Sequence, residues 1–371
     1  MAVYRIFPEK DAFIFSESPD ANAGLDEILE IGGYRDIAGV GETSRMLLQF
    51  SNEEIRTVIT NYVGTSSYSA NLGIYLADAY QIPVNTGIYT YPVYSTVEWD
   101  NGIGKYGDVP VNSSGVTWSS LKSDNNESWI TGIYPVGVTG SYIPGKEGGG
   151  AWYTSYSGIN LEFIQENSIK STYDIYTDVT NAVKLWNEES IVNNGFIVKL
   201  GKELEFNTTT SIRLKYFSSD TNTIYPPFLD IKWDDSTYTT GSLLAISTDN
   251  INISINNNRG KYPDTVKQRF RISAKPKYPV RTFTTSSIYL QNYSLPPTSY
   301  WGLRDENTEE MVVDFDDNFT KISCDEKGNY FDIYMSGLQP ERYYRILIKS
   351  VIDGTTAVID NNNIFKVVRN G

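Results

Sequence analysis

The sequence has no histidine and only one cysteine, Cys324, among its 371 residues. Without histidine it can form neither a Ser-His-Asp nor a Cys-His catalytic site, and no zinc site built with imidazole. A single cysteine excludes an internal disulfide and a metal site made of several thiolates. Cys324 lies in the strand-like run Lys-Ile-Ser-Cys-Asp, where a small core residue is expected rather than a nucleophile. Any catalysis would therefore have to use carboxylates alone.

Long apolar runs are also lacking. No stretch approaches the roughly 18 residues that a membrane-spanning helix needs. Residues 1–10 mix charged with apolar side chains instead of forming the apolar centre of a secretory signal. We therefore expect a protein that is made in a cytosol, stays soluble and has no contact with a membrane.

Aromatic residues are abundant: they make up 13% of the chain, and 28 of them are tyrosines. Tyrosine favours the pleated, half-buried surface of a strand. Short strand-like runs separated by turn signals fill the chain, among them Ser44 to Phe50, Ala70 to Leu76, Gly195 to Leu200, Ile212 to Phe217 and Phe228 to Trp233. This pattern predicts an all-β protein built from sandwiches or barrels.

Local periodicity adds three predictions. In Ile212 to Phe217 apolar residues alternate with mostly basic ones, which indicates one buried and one solvated face. From Asp178 to Trp186 the apolar residues recur at i, i+3, i+4 and i+7 behind an aspartate that suits an N-cap, which predicts a short helix. Residues 97–157 are rich in Gly, Ser, Asn and Trp with weak periodicity, which predicts a long structured loop.

The length allows two domains. A connector-like stretch from about Asp234 to Lys277 opens with Asp234-Asp235-Ser236-Thr237 and places the boundary near residue 240. We therefore predict one domain over residues 1–240 and a second over residues 241–371, with the connector at its start.

Charge is distributed unevenly along a chain whose net charge is −14. Residues 1–240 hold 15 basic and 30 acidic residues, whereas residues 241–371 hold 16 basic and 15 acidic ones. Between 259 and 281, eight basic residues accompany one acid: Arg259, Lys261, Lys267, Arg269, Arg271, Lys275, Lys277 and Arg281. Between 305 and 317 there are seven acids and no base, and Asp314, Asp316 and Asp317 are among them.

Two interpretations of these charged runs remain open. They form a solvated strand face and an acidic loop, or a complementary pair that meets across a subunit or domain contact. Nucleic-acid binding is not expected, because the whole molecule is acidic and would repel phosphate.

Three passages occur in the order of one known family: Asp11-Ala12-Phe13-Ile14 with Asn22 and Gly24, Gly115-Val116-Thr117-Trp118, and Asp178-Val179-Thr180 leading to Asn193-Asn194-Gly195-Phe196. They resemble the DNRLRE-type domains, which are jelly-roll β-sandwiches related to carbohydrate-binding modules. The family's polar motif after the Asn-Gly-Phe strand is replaced here by Phe217-Ser218-Ser219-Asp220. The resemblance implies a jelly-roll over residues 1–240. From the residues themselves, Asn22 and Gly24 suit a turn with positive φ, and Trp118 and Trp186 are large enough to fill a core.

The last third of the chain carries a second resemblance. The run from Leu338 to Tyr344 is similar to the corner of fibronectin type III and immunoglobulin-like domains, where a tyrosine enters a long strand. That strand, Tyr343 to Val351, precedes the hairpin signal Ile352-Asp353-Gly354-Thr355. The resemblance implies an immunoglobulin-like β-sandwich over residues 241–371.

Taken whole, the chain resembles virion structural proteins of contractile-tailed marine phages, including those of cyanobacteria. The passages that carry this resemblance are Gly195 to Lys199, Arg213 to Phe217, Asn222 to Pro227, Lys275 to Pro279, Tyr300-Trp-Gly302 and Leu338 to Arg342. It implies a virion protein that is assembled in the host cytoplasm and whose partners are other virion proteins.

The first functional hypothesis is a non-enzymatic structural or adaptor protein in a tail, baseplate or neck position, with capsid decoration as the alternative position. Tyrosine-rich surfaces suit wide protein interfaces. The basic run would dock on an acidic neighbour, which includes the 305–317 segment of a second copy. No cofactor is expected.

The second hypothesis is glycan recognition by a host-attachment module. Trp99 and Trp129 lie in polar loop contexts and are the candidates for stacking on a sugar, whereas Trp118 and Trp152 are expected in the core. A third hypothesis, a glycoside hydrolase with two carboxylates, lacks a pair of acids that stands out. Two acidic runs offer oxygen ligands for calcium, Asp234-Asp235 and the set Asp314, Asp316 and Asp317, but neither has a loop motif and solvated turns are expected.

Overall fold

The computed structural model describes residues 2–35, 39–82, 85–122, 127–130, 133–140, 148–168, 173–206, 209, 211–234, 238–248, 250–278, 291–317, 319–352 and 354–369. Strands contain 48% of the residues and helices 7%, so the prediction of an all-β protein is confirmed. The chain forms two compact units. The first unit consists of Ile6–Tyr62 and Ser69–Asp230, and the second of Met1–Arg5, Val63–Tyr68 and Ile231–Gly371.

The main division between the units lies at residues 230 and 231, ten residues before the predicted boundary. The second unit also takes two short segments from the first 70 residues, which a single continuous domain over 1–240 does not allow. Val3, in strand β1 (Ala2–Ile6), is buried in the core of the second unit, and the backbone of Gly337 lies against its carbonyl group. Packing of an N-terminal strand in a distant core leaves no local signal in the sequence.

The first unit is built from short antiparallel strands. Their bounds are β2 (Pro8–Phe15), β3 (Ile28–Arg35), β4 (Gly41–Phe50), β5 (Tyr68–Ile74), β6 (Leu76–Tyr80), β7 (Asn85–Pro92), β8 (Val138–Gly140), β9 (Ala151–Tyr153), β10 (Ser155–Tyr156), β11 (Ile159–Asn160), β12 (Phe163–Ser168), β13 (Ile175–Asp178), β14 (Phe196–Leu200), β15 (Ile212–Phe217) and β16 (Phe228–Trp233), which ends in the second unit. The largest sheet has the order β12-β7-β14-β4-β3-β15-β6, and β2 pairs with β4 beside it. In β15 the predicted alternation is confirmed, because Ile212, Leu214 and Tyr216 are fully buried and the residues between them are not.

Two helices accompany these strands. The predicted helix is confirmed as α2 (Thr180–Asn187), but its N-cap is Val179 and not Asp178. The Asp178 carboxylate, one residue earlier, accepts a hydrogen bond from the N–H of Thr180 at 2.9 Å. Helix α1 (Asn52–Val58), which continues as a π-helix over Ile59–Val63, was not predicted. Its signal was present, because the hydroxyl of Ser51 accepts the N–H of Glu54 as in a Ser-x-x-Glu capping box. None of the helices in the described ranges is long and apolar enough to cross a membrane.

The predicted long loop over residues 97–157 packs against a buried polar side chain from outside it, Asn22. Its amide group donates to the carbonyl oxygens of Asn101 and Val116, at 2.8 Å each, and its Oδ1 accepts the N–H of Gly104 at 2.8 Å. Neither Asn22 nor Gly24 has a positive φ, so the turn predicted for them is wrong. Gly24 is instead required by close approach, because a Cβ there would lie 1.9 Å from the carbonyl oxygen of Asn101.

The second unit is a sandwich of two sheets. Its strands are β17 (Ile251–Ile255), β18 (Lys261–Pro263), β19 (Lys267–Pro276), β20 (Ser299–Asp305), β21 (Met311–Val313), β22 (Ser323–Asp325), β23 (Gly328–Tyr334), β24 (Tyr343–Ile352) and β25 (Thr355–Val368), with a 3-10 helix at Met335–Gly337. One sheet has the order β17-β19-β23-β22 and the other β18-β25-β24-β20-β21. With the strands lettered A, A′, B, C, C′, D, E, F and G along the chain, this is the immunoglobulin arrangement.

The core of this sandwich contains Trp301, on β20 (the strand lettered C), which is buried and stacks on Phe331 with ring centroids 4.9 Å apart. The corner predicted at Tyr344 is also present. Tyr344 is buried, and its hydroxyl donates to the carbonyl oxygen of Gln339 at 3.1 Å, which is the bond of a tyrosine corner. Cys324 is buried in the same unit, as predicted for a core residue. The hairpin from Ile352 to Thr355 is also present, although Asp353 lies outside the described residues.

Candidate interaction surface

Four of the predicted basic residues project from one strand to the same side. Strand β19 buries Phe270, Ile272 and Ala274 in the sandwich, so the alternate residues point to the opposite face of the sheet. These are Lys267, Arg269, Arg271 and Lys275, and with Tyr330, Asp332 and Tyr334 of β23 they form what we call the basic face.

The register between strands pairs each arginine of the basic face with a carboxylate. Arg269 lies directly opposite Asp332, and its guanidinium contacts both carboxylate oxygens at 2.7 and 2.9 Å. Arg271 contacts Asp325 of β22 at 2.6 Å. Burial alone would raise the pKa of Asp332, but the hydrogen bond from Arg269 and the charges of Arg269 and Lys267 hold it below its usual value. The Arg269 side chain remains 47% exposed, whereas that of Asp332 is 7% exposed.

The two tyrosines of β23 lie between these cations. The guanidinium groups of Arg269 and Arg271 are 4.1 and 5.0 Å from the ring of Tyr330, and the ammonium of Lys267 is 4.5 Å from the ring of Tyr334. Such contacts hold long basic side chains in defined positions. The basic face is therefore an ordered, half-exposed surface with four cations and the carboxylate of Asp332, and Asp325 of β22 lies beside it.

The structure does not bring all the predicted basic residues together. Arg259 and Lys261 are exposed next to and within β18, which belongs to the other sheet. Lys277 is exposed just beyond the end of β19, and Arg281 lies outside the described residues. The predicted basic cluster is therefore reduced to the side chains of β19, with Lys277 at its end.

Most of the acids described between residues 305 and 317 bind partners within the second unit. Asp305 forms a buried ion pair with Arg342 at 2.7 Å, and Glu306 pairs with Arg345. Asp316 accepts the N–H of Phe319 at 2.9 Å within its loop. Asp314 and Asp317 are exposed. The carboxylates that face Arg269 and Arg271 within the chain come from β22 and β23 instead, so docking on the 305–317 segment of a second copy stays a prediction.

The two tryptophans predicted to stack on a sugar are buried. Trp99 is 0% exposed and Trp129 is 2% exposed, and both belong to the same core as Trp118 and Trp152. Their indole N–H groups are satisfied by the carbonyl oxygens of Asn194 at 2.9 Å and Thr117 at 3.0 Å. The prediction that they are the exposed pair is wrong, because the polar loop residues around them supply backbone acceptors inside the fold.

Beside these tryptophans lies a buried cluster of charges that sequence reasoning missed. Arg45 binds both carboxylate oxygens of Glu205, at 2.8 and 3.0 Å, and Lys199 lies 2.9 Å from the same carboxylate. The Arg45 guanidinium lies between the rings of Trp118 and Trp152, 4.9 and 5.2 Å from their centroids. Burial lowers the pKa of Lys199, and Glu205 opposes this effect. The available signal was a basic residue next to an apolar run in each of two strands, Arg45 before Met46-Leu47-Leu48 and Lys199 after Phe196-Ile197-Val198.

A groove of about 360 Å³ opens on the large sheet of the first unit, over β3, β6 and β15. Its lining consists of Tyr34, Arg35, Asp78, Tyr80, Ser211, Arg213 and Lys215. The Arg213 guanidinium lies 4.0 Å from the ring of Tyr34, and the ring of Tyr80 is exposed. A groove with aromatic rings, a hydroxyl and three cations suits a polar ligand that carries negative charge.

Across the described residues, no three carboxylate or thiol side chains converge as metal ligands would. Asp314, Asp316 and Asp317, the acidic run that offered oxygen ligands for calcium, therefore do not form such a group, and Asp235 of the other run lies outside the described residues. Comparison with known proteins adds no assignment, because no protein-family model and no curated protein matches the chain.

Proposed function

We propose that this chain is a non-enzymatic structural or adaptor protein of a contractile-tailed phage particle and acts through protein–protein contacts. The proposal places it in a peripheral tail, baseplate or neck position, with capsid decoration as the alternative position. Its assignment to a particle rests on the resemblance of passages along most of the chain to virion proteins. Its mode of action rests on the basic face.

The basic face supports this mode of action because it combines exposed charge with a rigid scaffold. Its arginines are anchored by Asp332 and Asp325 and packed against Tyr330, so little side-chain freedom is lost on binding. Lys267, Arg269 and Arg271 share two carboxylates, those of Asp332 and Asp325, so these five side chains carry an excess of positive charge. The first unit, in contrast, holds 13 basic and 28 acidic residues. The partner that fits this face is an acidic protein surface.

The test begins with purified particles of the phage that encodes the chain. Peptides of this chain are expected in mass spectra of particles washed at moderate salt, and their absence would rule out a virion protein. The docking role is tested by Lys275→Glu/Lys277→Glu, which reverses two charges near the end of β19 and leaves the Arg269–Asp332 and Arg271–Asp325 pairs in place.

Reduced incorporation of this double variant is the expected result, because it reverses two positive charges while the Arg269–Asp332 and Arg271–Asp325 ion pairs remain. Lys349→Glu is the matched control, since Lys349 also projects from the outer face of a sheet in the second unit, 5.9 Å from the ring of Tyr300. Equal incorporation of both variants and the wild type would exclude docking through the basic face.

A second candidate function is glycan recognition, which the groove over β3, β6 and β15 favours. Its exposed Tyr80 and its cations suit an acidic or sulfated sugar. A broad glycan array should then show binding that is lost in Tyr80→Ala and in Arg213→Ala. An array without any bound acidic or neutral glycan excludes this candidate.

A further inference from the structure

The long strand β25 has an open edge near its start. On one side it pairs with β24 along its length, but on the other side it pairs with β18 only over Lys366–Val368. The segment 258–260 extends this contact, because Asn258 donates to the carbonyl oxygen of Ile364 and the N–H of Lys366 donates to Gly260. In the part of the chain that the structure describes, no strand pairs with the outer edge of residues 355–359.

The direction of the backbone groups on this edge follows from the neighbouring strand. Val351 donates its N–H to the carbonyl of Thr298 at 3.1 Å, and its own carbonyl accepts the hydroxyl of Thr298 at 2.7 Å. Both groups of Val351 therefore point away from β25, which makes Val351 and Thr356 a non-hydrogen-bonded pair. The N–H and C=O of Thr356 consequently point outward from the edge, and by alternation so do those of Val358.

This edge lacks the features that protect most exposed strands from pairing. Residues 355–359 have the sequence Thr-Thr-Ala-Val-Ile, with no charge and no proline, and Val358 is 56% exposed. Natural edge strands are usually blocked by lysines, prolines or bulges. Here a bulge with positive φ appears only at Asn362, beyond the open segment.

The same five residues are complementary to themselves. In an antiparallel pair centred on Ala357, Thr356 of each copy lies opposite Val358 of the other. These are the two residues whose backbone groups point outward, so the pair forms four N–H···O=C hydrogen bonds. The small side chain of Ala357 meets its own copy at the centre, and β-branched residues face each other on both sides.

We propose that the edge of β25 over residues 355–359 pairs with the same edge of a second copy of this chain, forming a two-fold dimer with one sheet continuous across both copies. The inference goes beyond the basic face and does not depend on it. Because the paired residues carry no charge, this association persists at high salt, whereas contacts of the basic face are screened.

Light scattering and sedimentation of the wild-type chain over a range of concentrations test the dimer. A mass that doubles with concentration, at low and at high salt, is expected. A monomer at every concentration, or an oligomer larger than a dimer at high salt, would overturn the proposal.

Charge substitutions on the edge make the test specific. In Thr356→Lys/Val358→Lys, like charges oppose each other in the paired register, so self-association is expected to weaken at least about tenfold. Mixing this variant with Thr356→Glu/Val358→Glu should restore the dimer at moderate salt, since opposite charges then face each other. Thr221→Lys/Thr223→Lys, which adds two lysines in a turn of the first unit, is the matched control.

Folding of each variant is checked by thermal unfolding. Val358→Pro is a second way to block the pairing of two copies, because it removes an outward-pointing N–H donor that the pairing with β24 does not use. Dimers that survive in a folded Thr356→Lys/Val358→Lys variant, or a mixture that fails to restore them, would exclude this edge. Neither result would bear on the incorporation of Lys275→Glu/Lys277→Glu into particles.

Discussion

The buried charge cluster of the first unit supports a quantitative prediction about Glu205. Glu205→Gln removes the single carboxylate that contacts both Arg45 and Lys199, all three side chains being almost fully buried. Arg45 and Lys199 then lose the buried carboxylate that both of them contact, and the glutamine NH2 group meets one of their N–H donors. Breaking a buried ion pair from one side costs about 3–5 kcal/mol. For a unit of this size, that corresponds to a fall of the melting temperature of roughly 10 °C.

The pH dependence of this loss is part of the prediction. Burial already lowers the pKa of Lys199, and the variant lacks the carboxylate that opposes this effect. A lysine whose pKa is lower in the folded than in the unfolded state destabilises the fold while it is charged. The cost is relieved as the pH rises through the folded-state pKa. The deficit of the variant should therefore shrink as the pH rises above the folded-state pKa of Lys199 towards the ordinary lysine value of 10.5.

Tryptophan fluorescence during urea unfolding is a suitable assay, because five of the seven tryptophans lie in the first unit. Glu203→Gln is the control, since it removes the same charge from an exposed side chain two residues away. A Glu205→Gln variant whose stability is within about 1 kcal/mol of the wild type would refute the reasoning. So would a deficit that does not change with pH.

Two further predictions concern buried polar residues of the first unit. Burial raises the pKa of Asp11 to about 6, against the hydrogen bonds from Ser219 that favour its charged form. The protonated carboxyl group of Asp11 therefore stabilises the folded state most when the pH is below its pKa in the unfolded chain. This stabilisation is lost as the pH rises to about 6, and the free energy of unfolding falls by about 3 kcal/mol. Urea unfolding should show that the stability of Asp11→Asn rises relative to that of the wild type from about pH 4 to about pH 7. Parallel pH profiles of the two proteins would contradict this. Asn22→Ala leaves two carbonyls and two N–H groups without their partner, and a loss of at least about 3 kcal/mol is expected. The control Asn112→Ala, in a partly exposed turn, should lose less than about 1 kcal/mol, and equal losses would reject the special role of Asn22.

The sequence alone predicted the local structure wherever that structure depends on neighbours along the chain. Alternation in Ile212 to Phe217 located β15, and the apolar spacing after Asp178 located α2, because one buried face is enough to select the period of a strand or a helix. The corner at Tyr344 was also visible, since its hydrogen bond closes within five residues. These local patterns determined the all-β class of the protein.

Only the tertiary structure decided which distant residues meet. Arg269 and Asp332 are 63 positions apart and pair because β19 and β23 take one particular register, which no local signal specifies. The polar surroundings of Trp99 suggested an exposed ring, but loop backbone folds over it and accepts its N–H. Arg45 lies in a buried strand and is tolerated there because Glu205, 160 residues away, neutralises it. The cost of burying a charge or an N–H group depends on a partner brought by the fold, and that partner is not encoded beside it in the sequence.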